Sequence, residues 1–100
     1  MIQYFAYGSF LTGSRYHQYY LGDQKFLGKG SVEGYKRYIF GGLHGIYPHP
    51  GELVQGEVYE IDPKALHKLE FMHNNFTLTT VDIKMEGGQT ISAQTFIWNG

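Results

Sequence analysis

No cysteine occurs among the 100 residues, which excludes disulfide staples, thiolate nucleophiles and cysteine-ligated zinc together. Charge is scarce and balanced: eight Lys or Arg stand against nine Asp or Glu, a formal net charge of −1, with no basic tract and no acidic tail. Nucleic acids and anionic lipids are bound largely through clustered Lys and Arg, so neither is an expected partner. Proline is limited to three positions, and no apolar run approaches the roughly 20 residues of a membrane-spanning helix. The opening Met-Ile-Gln-Tyr-Phe-Ala-Tyr-Gly-Ser has neither a basic start nor a long apolar stretch of the kind a leader needs. A soluble, cytoplasmic protein without membrane partners is the expectation.

What the chain does have is aromatic and glycine content. Nine Tyr, seven Phe, one Trp and 14 Gly accompany a hydrophobic fraction of 42%, too much burial-ready surface for a disordered segment. The length suits a single domain over residues 1–100, whose core is thin because a chain of this size buries only about two thirds of the surface exposed on unfolding.

Residues 2–7 form an apolar, aromatic run that stops at Gly8 and reads as a buried strand ending in a glycine turn. Residues 11–20 show no clean period and read as a loop with one helical turn. Residues 24–32 and 35–42 read as two weak strands broken by glycines, and residues 44–51, with Pro48 and Pro50, as a loop. Residues 53–61 alternate well enough for a strand with Val54, Gly56, Val58 and Glu60 on one side. Asp62-Pro63 is a strong helix start, because the Asp carboxylate can accept from free amides while Pro occupies the first turn harmlessly. Ala65, Leu66, Leu69 and Met72 make that helix's buried face, and it ends near His73-Asn74-Asn75. Residues 77–85 and 89–98 read as a hairpin around Gly87-Gly88, with Val81, Ile83 and Met85 on one face. The class is α+β: about six short strands in a small, mostly antiparallel β-barrel with one main helix.

Several motif-like strings carry no chemistry. Gly28, Gly30 and Gly34 lack the strand-to-helix crossover of a dinucleotide site, and Gly28-Lys29-Gly30-Ser31 lacks the order of a phosphate loop. Five histidines include no His-Glu-x-x-His, so no metal is expected. Ser9 lacks the Gly-x-Ser-x-Gly elbow of a serine nucleophile and belongs more simply to a binding turn. The Tyr16, Tyr19 and Tyr20 cluster reads first as core packing with hydroxyls at a rim. Glu57, on the opposite strand face from Val54 and Val58, reads as a structural or surface residue before a pocket acid.

Tyr4-Phe5-Ala6-Tyr7-Gly8-Ser9-Phe10 resembles the N-terminal signature of the gamma-glutamylcyclotransferase-like proteins, an apolar strand followed by Tyr-Gly-Ser/Thr-Leu, from which only Phe10 departs. The resemblance continues through Ile46-Tyr47-Pro48, through Val54-Gln55-Gly56-Glu57-Val58-Tyr59-Glu60-Ile61, through the helix to Leu69, and into Ala93-Gln94-Thr95-Phe96-Ile97-Trp98. It implies a small β-barrel and an intramolecular reaction. The α-amine of a γ-glutamyl amine or amino acid attacks its own γ-carbonyl, releasing the amine and 5-oxoproline without cofactor or metal. Such a reaction needs a bent substrate, donors for carboxylate and oxyanion, and a proton shuttle. The resemblance assigns substrate binding to Tyr7, Gly8, Ser9 and Phe10, whose glycine turn presents amides without side-chain obstruction.

The family's shuttle is a Glu in a Leu-Asp-x-x-Glu pattern, and here Leu69-Glu70-Phe71-Met72-His73 places His73 at that Glu. Three readings follow. His73 acts as general base, although a helix C-terminus favours a protonated imidazole that would oppose the substrate ammonium. Glu70 substitutes through a slipped register, although it lies about 5 Å away along the helix axis. Or the pocket is kept while the standard reaction is lost, leaving a non-catalytic or altered-chemistry small-molecule binding protein. Nothing in the sequence sets the oligomeric state.

Overall fold

The structure is a computed structural model that describes residues 1–40 and 43–99, residue 40 by its backbone only. The aromatic run forms β1 (Ile2–Ala6) and breaks into a 3₁₀ turn (Gly8–Phe10), because Gly8 adopts φ +62°, a conformation that penalises a Cβ. Next come α1 (His17–Leu21), β2 (Lys25–Phe40), β3 (Leu43–Ile61), α2 (Pro63–Met72), β4 (Phe76–Met85) and β5 (Thr90–Trp98). The strands close into a barrel in the order β1-β3-β2-β4-β5. Every pairing is antiparallel except β1 with β5, which meet in parallel at Tyr4 opposite Gln94.

The barrel, the capped helix and the last hairpin are as expected. Asp62 Oδ1 accepts from the Ala65 N–H at 2.7 Å with Pro63 in the first turn, and Val81, Ile83 and Met85 all face inward. Two expectations are corrected. The glycine-punctuated segment is one strand rather than two: register shifts at Phe26/Gly28 and Glu33/Tyr35 make bulges, with Gly34 at φ +83°, so the glycines bend the ladder instead of ending it. Gly41 and Gly42, the end of the second expected strand, lie outside the described residues. The Pro48 region is strand rather than loop. Pro48 pairs with Tyr35 beside the second bulge, where a missing N–H costs no central ladder bond. Among the described residues the strands therefore number five.

Two apolar clusters explain the layers. Phe5, Tyr7, Val32, Ile46, Val54, Val58 and Ile83 fill the barrel. Tyr4, Ala6, Phe10, Tyr59, Ile61 and Phe96 lie on the outer face, where Leu21 of α1 and Ala65 and Leu69 of α2 cover them. Residues 56–59 of β3 are accordingly buried on both faces. Among the described residues no helix is long and apolar enough to cross a membrane.

Candidate functional site

The sequence pointed to the turn after β1 and to the end of α2, and the barrel brings these together. The Phe10 ring lies 5.3 Å from the His73 ring, between centroids, and packs against Tyr16 and Tyr20 at 5.5 Å each. Tyr16 and Tyr20 are thus packing residues, as expected, whereas Tyr19 is 68% exposed. In the turn the Phe10 N–H donates to the Tyr7 carbonyl at 3.4 Å and the Leu11 N–H to Gly8 at 3.2 Å, while the Ser9 carbonyl accepts from the Tyr16 N–H at 2.8 Å. The Tyr7 hydroxyl donates to the Phe96 carbonyl at 2.6 Å. It serves the barrel wall, and burial pushes its pKa up.

His73 ends α2 and is only 3% exposed. Its ring stacks on Phe96, 4.3 Å between centroids and 6° between planes, and meets Phe76 edge-on at 5.0 Å. Nδ1–H donates to the Leu69 carbonyl at 2.6 Å. Burial drives its pKa down to about 4, and that carbonyl opposes the fall without reversing it. The helix-end argument for a protonated imidazole is therefore overturned: removal from water outweighs the carbonyl dipoles, and the ring is neutral at pH 7. Glu70 lies on the exposed side of α2, and its peptide carbonyl accepts the His73 N–H at 3.1 Å. The clefts beside β2 and β4, beside β1 and β5, and beside Glu57 are lined by other residues than Tyr7, Gly8, Ser9, Phe10, Glu70 and His73.

His44 was not among the sequence candidates, yet it covers the turn. A Cβ on Gly8 would overlap the His44 side chain, and His44 Nδ1 is buried with no hydrogen-bond partner among the described residues. Burial, and then the Arg37 charge, lower its pKa. Only the strand pairing that replaces the expected loop brings His44 there, so no local sequence signal marked it.

Glu57, expected as a structural or surface residue before a pocket acid, is 7% exposed. It pairs with Ala6 on one side and Lys29 on the other, on the outer face of β3, where the chain after the glycine turn folds back over it. Its Oε1 accepts from the Thr12 N–H, the Thr12 hydroxyl and the Tyr59 hydroxyl, each at 2.9 Å. Burial alone would raise the Glu57 pKa; these donors and the nearby His17 outweigh it and hold the carboxyl below its ordinary value. Burial, with the Glu57 charge adding to it, pushes Tyr59 up to about 12. His17 Nδ1–H donates to the Phe10 carbonyl at 3.1 Å and lies 3.5 Å from the Tyr59 oxygen. This polar knot borders a cleft of about 600 Å³ lined also by Gln24, Phe26 and Lys29, within the usual size range of small-ligand sites.

The closed barrel with a Tyr-Gly-Ser turn at the end of its first strand meets the fold that the resemblance implies. Residues 4–100 match the family described as gamma-glutamyl cyclotransferase, AIG2-like, and the chain belongs to that family. It is 31% identical over 103 residues to a Methanocaldococcus jannaschii protein provisionally named a gamma-glutamylcyclotransferase, covering 94% of this chain and 82% of that one. An uncharacterised protein of Pyrococcus horikoshii has the same fold, with TM-score 0.79 and 25% identity over 100% of this chain and 80% of the other. An AIG2-like protein of Mus musculus superposes with TM-score 0.85 and 23% identity, covering 97% of this chain and 76% of its own.

Proposed function

We propose that this chain is a small-molecule-binding member of the family that does not carry out the carboxylate-shuttled cyclisation of γ-glutamyl compounds. The observation that carries this reading is His73. Cyclisation requires a group that takes a proton from the attacking ammonium and returns one to the leaving nitrogen. At the position that the resemblance assigns to that group stands an imidazole stacked on Phe96, tied through Nδ1–H to Leu69 and shifted to about 4. A base that weak and that enclosed is poorly matched to an ammonium at neutral pH. Glu70, the alternative carboxylate, is exposed. The turn is itself occupied, by His44 over Gly8 and by tyrosines around Phe10.

The test incubates the purified protein with γ-glutamyl amino acids and amines and follows 5-oxoproline. Wild type is expected to form none above the uncatalysed rate. Wild-type turnover that disappears in His73→Ala or His44→Ala overturns the reading and makes that imidazole the shuttle. Gain of turnover in His73→Glu supports it directly, since the missing carboxylate is then the only thing restored.

A further inference from the structure

We infer that the cleft beside Glu57 binds the zwitterionic end of an α-amino acid, with the Glu57 carboxylate taking the ammonium and Lys29 the carboxylate. The inference rests on the reading that this protein binds a small molecule rather than cyclising one, and it moves the ligand from the glycine turn to the far side of the same loop. Three observations converge. First, the protein's three hydrogen bonds to Glu57 all go to Oε1, while Oε2 receives none among the described residues although the side chain lines the cleft. A carboxylate whose one oxygen is held by three fixed donors, and whose other oxygen opens on the cleft, is an acceptor ready for a cation. An ammonium with three N–H groups can take the place of solvent there.

Second, Lys29 stands directly across the ladder from Glu57 and is exposed. Directly paired residues share a sheet face, with Cβ atoms about 5 Å apart. A positive and a negative group are therefore presented side by side, Lys29 at the rim and Glu57 at the floor, matching a ligand whose opposite charges are separated by a single carbon. Third, the Phe26 ring lies edge-on to Tyr59 with centroids 5.5 Å apart and is 48% exposed. It offers an apolar wall to an aliphatic side chain. The knot is also rigid before any ligand arrives, because Thr12, Tyr59 and His17 tie the loop to β3, which reduces the ordering cost of binding.

The experiment follows backbone amide shifts while L-leucine, N-acetyl-L-leucine and L-leucinamide are titrated into the full chain. Leucine is expected to shift Thr12, Gln24 and Lys29 saturably in the millimolar range. N-acetyl-leucine, without the ammonium, is expected to bind at least about tenfold more weakly, and leucinamide about threefold to tenfold more weakly. Glu57→Gln should abolish the shifts. Lys29→Gln, an exposed change that leaves the fold intact, should bring leucine down to the level of leucinamide and leave leucinamide unchanged. Equal binding of leucine and its N-acetyl derivative, or no shift in these residues, overturns the inference, as does indifference to Lys29→Gln. Formation of 5-oxoproline by the wild type would instead remove the reading on which it rests, and the amide shifts distinguish the two failures.

Discussion

Two imidazole and carboxylate environments flank the same short loop, and they are built on opposite principles. Around His73 a titratable ring is treated as an aromatic: stacked, desolvated and neutral, with one hydrogen bond for its N–H. Around Glu57 a titratable group is also enclosed, yet it borders a cleft and is kept charged, with three donors on one oxygen. The difference shows that ionisation follows the balance between removal from water and fixed donors. It also separates the loop's two sides chemically, one closed by rings and the other opening on a cleft with an ionised floor.

The largest effect expected from breaking this contrast is on the charged side. Glu57→Ala leaves the Thr12 N–H without its acceptor and the Thr12 and Tyr59 hydroxyls with only each other, and should cost about 3 kcal/mol in urea unfolding, given that bonds to charged groups contribute about 1.5–3 kcal/mol each and are not additive. On the neutral side the signature is a pH dependence. The unfolded imidazole titrates near 6.5 and the folded one near 4, so below about 6.5 the unfolded state binds the extra proton. Stability is then lost as pH falls from about 6.5 to 4, by about 3 kcal/mol at most. Glu57, also lowered, has a carboxylate's reference value and adds its loss only below about 4.5. His73→Phe should remove the upper part of the acid limb while changing stability at pH 7 by less than about 1 kcal/mol, because the stack remains and a single hydrogen bond is lost. A large loss at pH 7 would show that the Nδ1–H bond, not the aromatic packing, holds the site together. The smallest effect belongs to Glu70→Ala, an exposed change expected to stay within about 0.5 kcal/mol.

Local signals were legible and long-range ones were not. Asp62-Pro63 announces the start of α2 because its cap bond spans three residues, and Gly87-Gly88 announces the last hairpin because a two-stranded turn is self-contained. The Tyr7-Gly8 break was equally readable, since only a residue tolerant of positive φ fits there. The glycines of β2 misled because a bulge and a strand end have the same composition. Pro48 misled because its neighbour Tyr35 is supplied by another strand. Alternation on β3 correctly sets Glu57 on the face opposite Val54 and Val58. What alternation cannot contain is the loop at Thr12 that later covers that face. For His73 the local helix-end field was visible, while the rings of Phe10 and Phe96 that exclude water come from positions far away in the chain.

The parallel seam between β1 and β5 sets an order of assembly. The Thr95 hydroxyl donates to the Phe5 carbonyl across 90 residues, and the Tyr7 hydroxyl to the Phe96 carbonyl across 89. The first strand thus cannot complete its hydrogen bonding until the last one has emerged, and closing so long a loop is among the costlier steps of folding. Until then β1 pairs with β3 alone and exposes its other edge, the state in which a growing chain is most open to pairing with a neighbour. The ring of His73 stacks on Phe96 of β5 and so takes its place only with that closure, whereas the knot around Glu57 is made by the loop and β3 without β5.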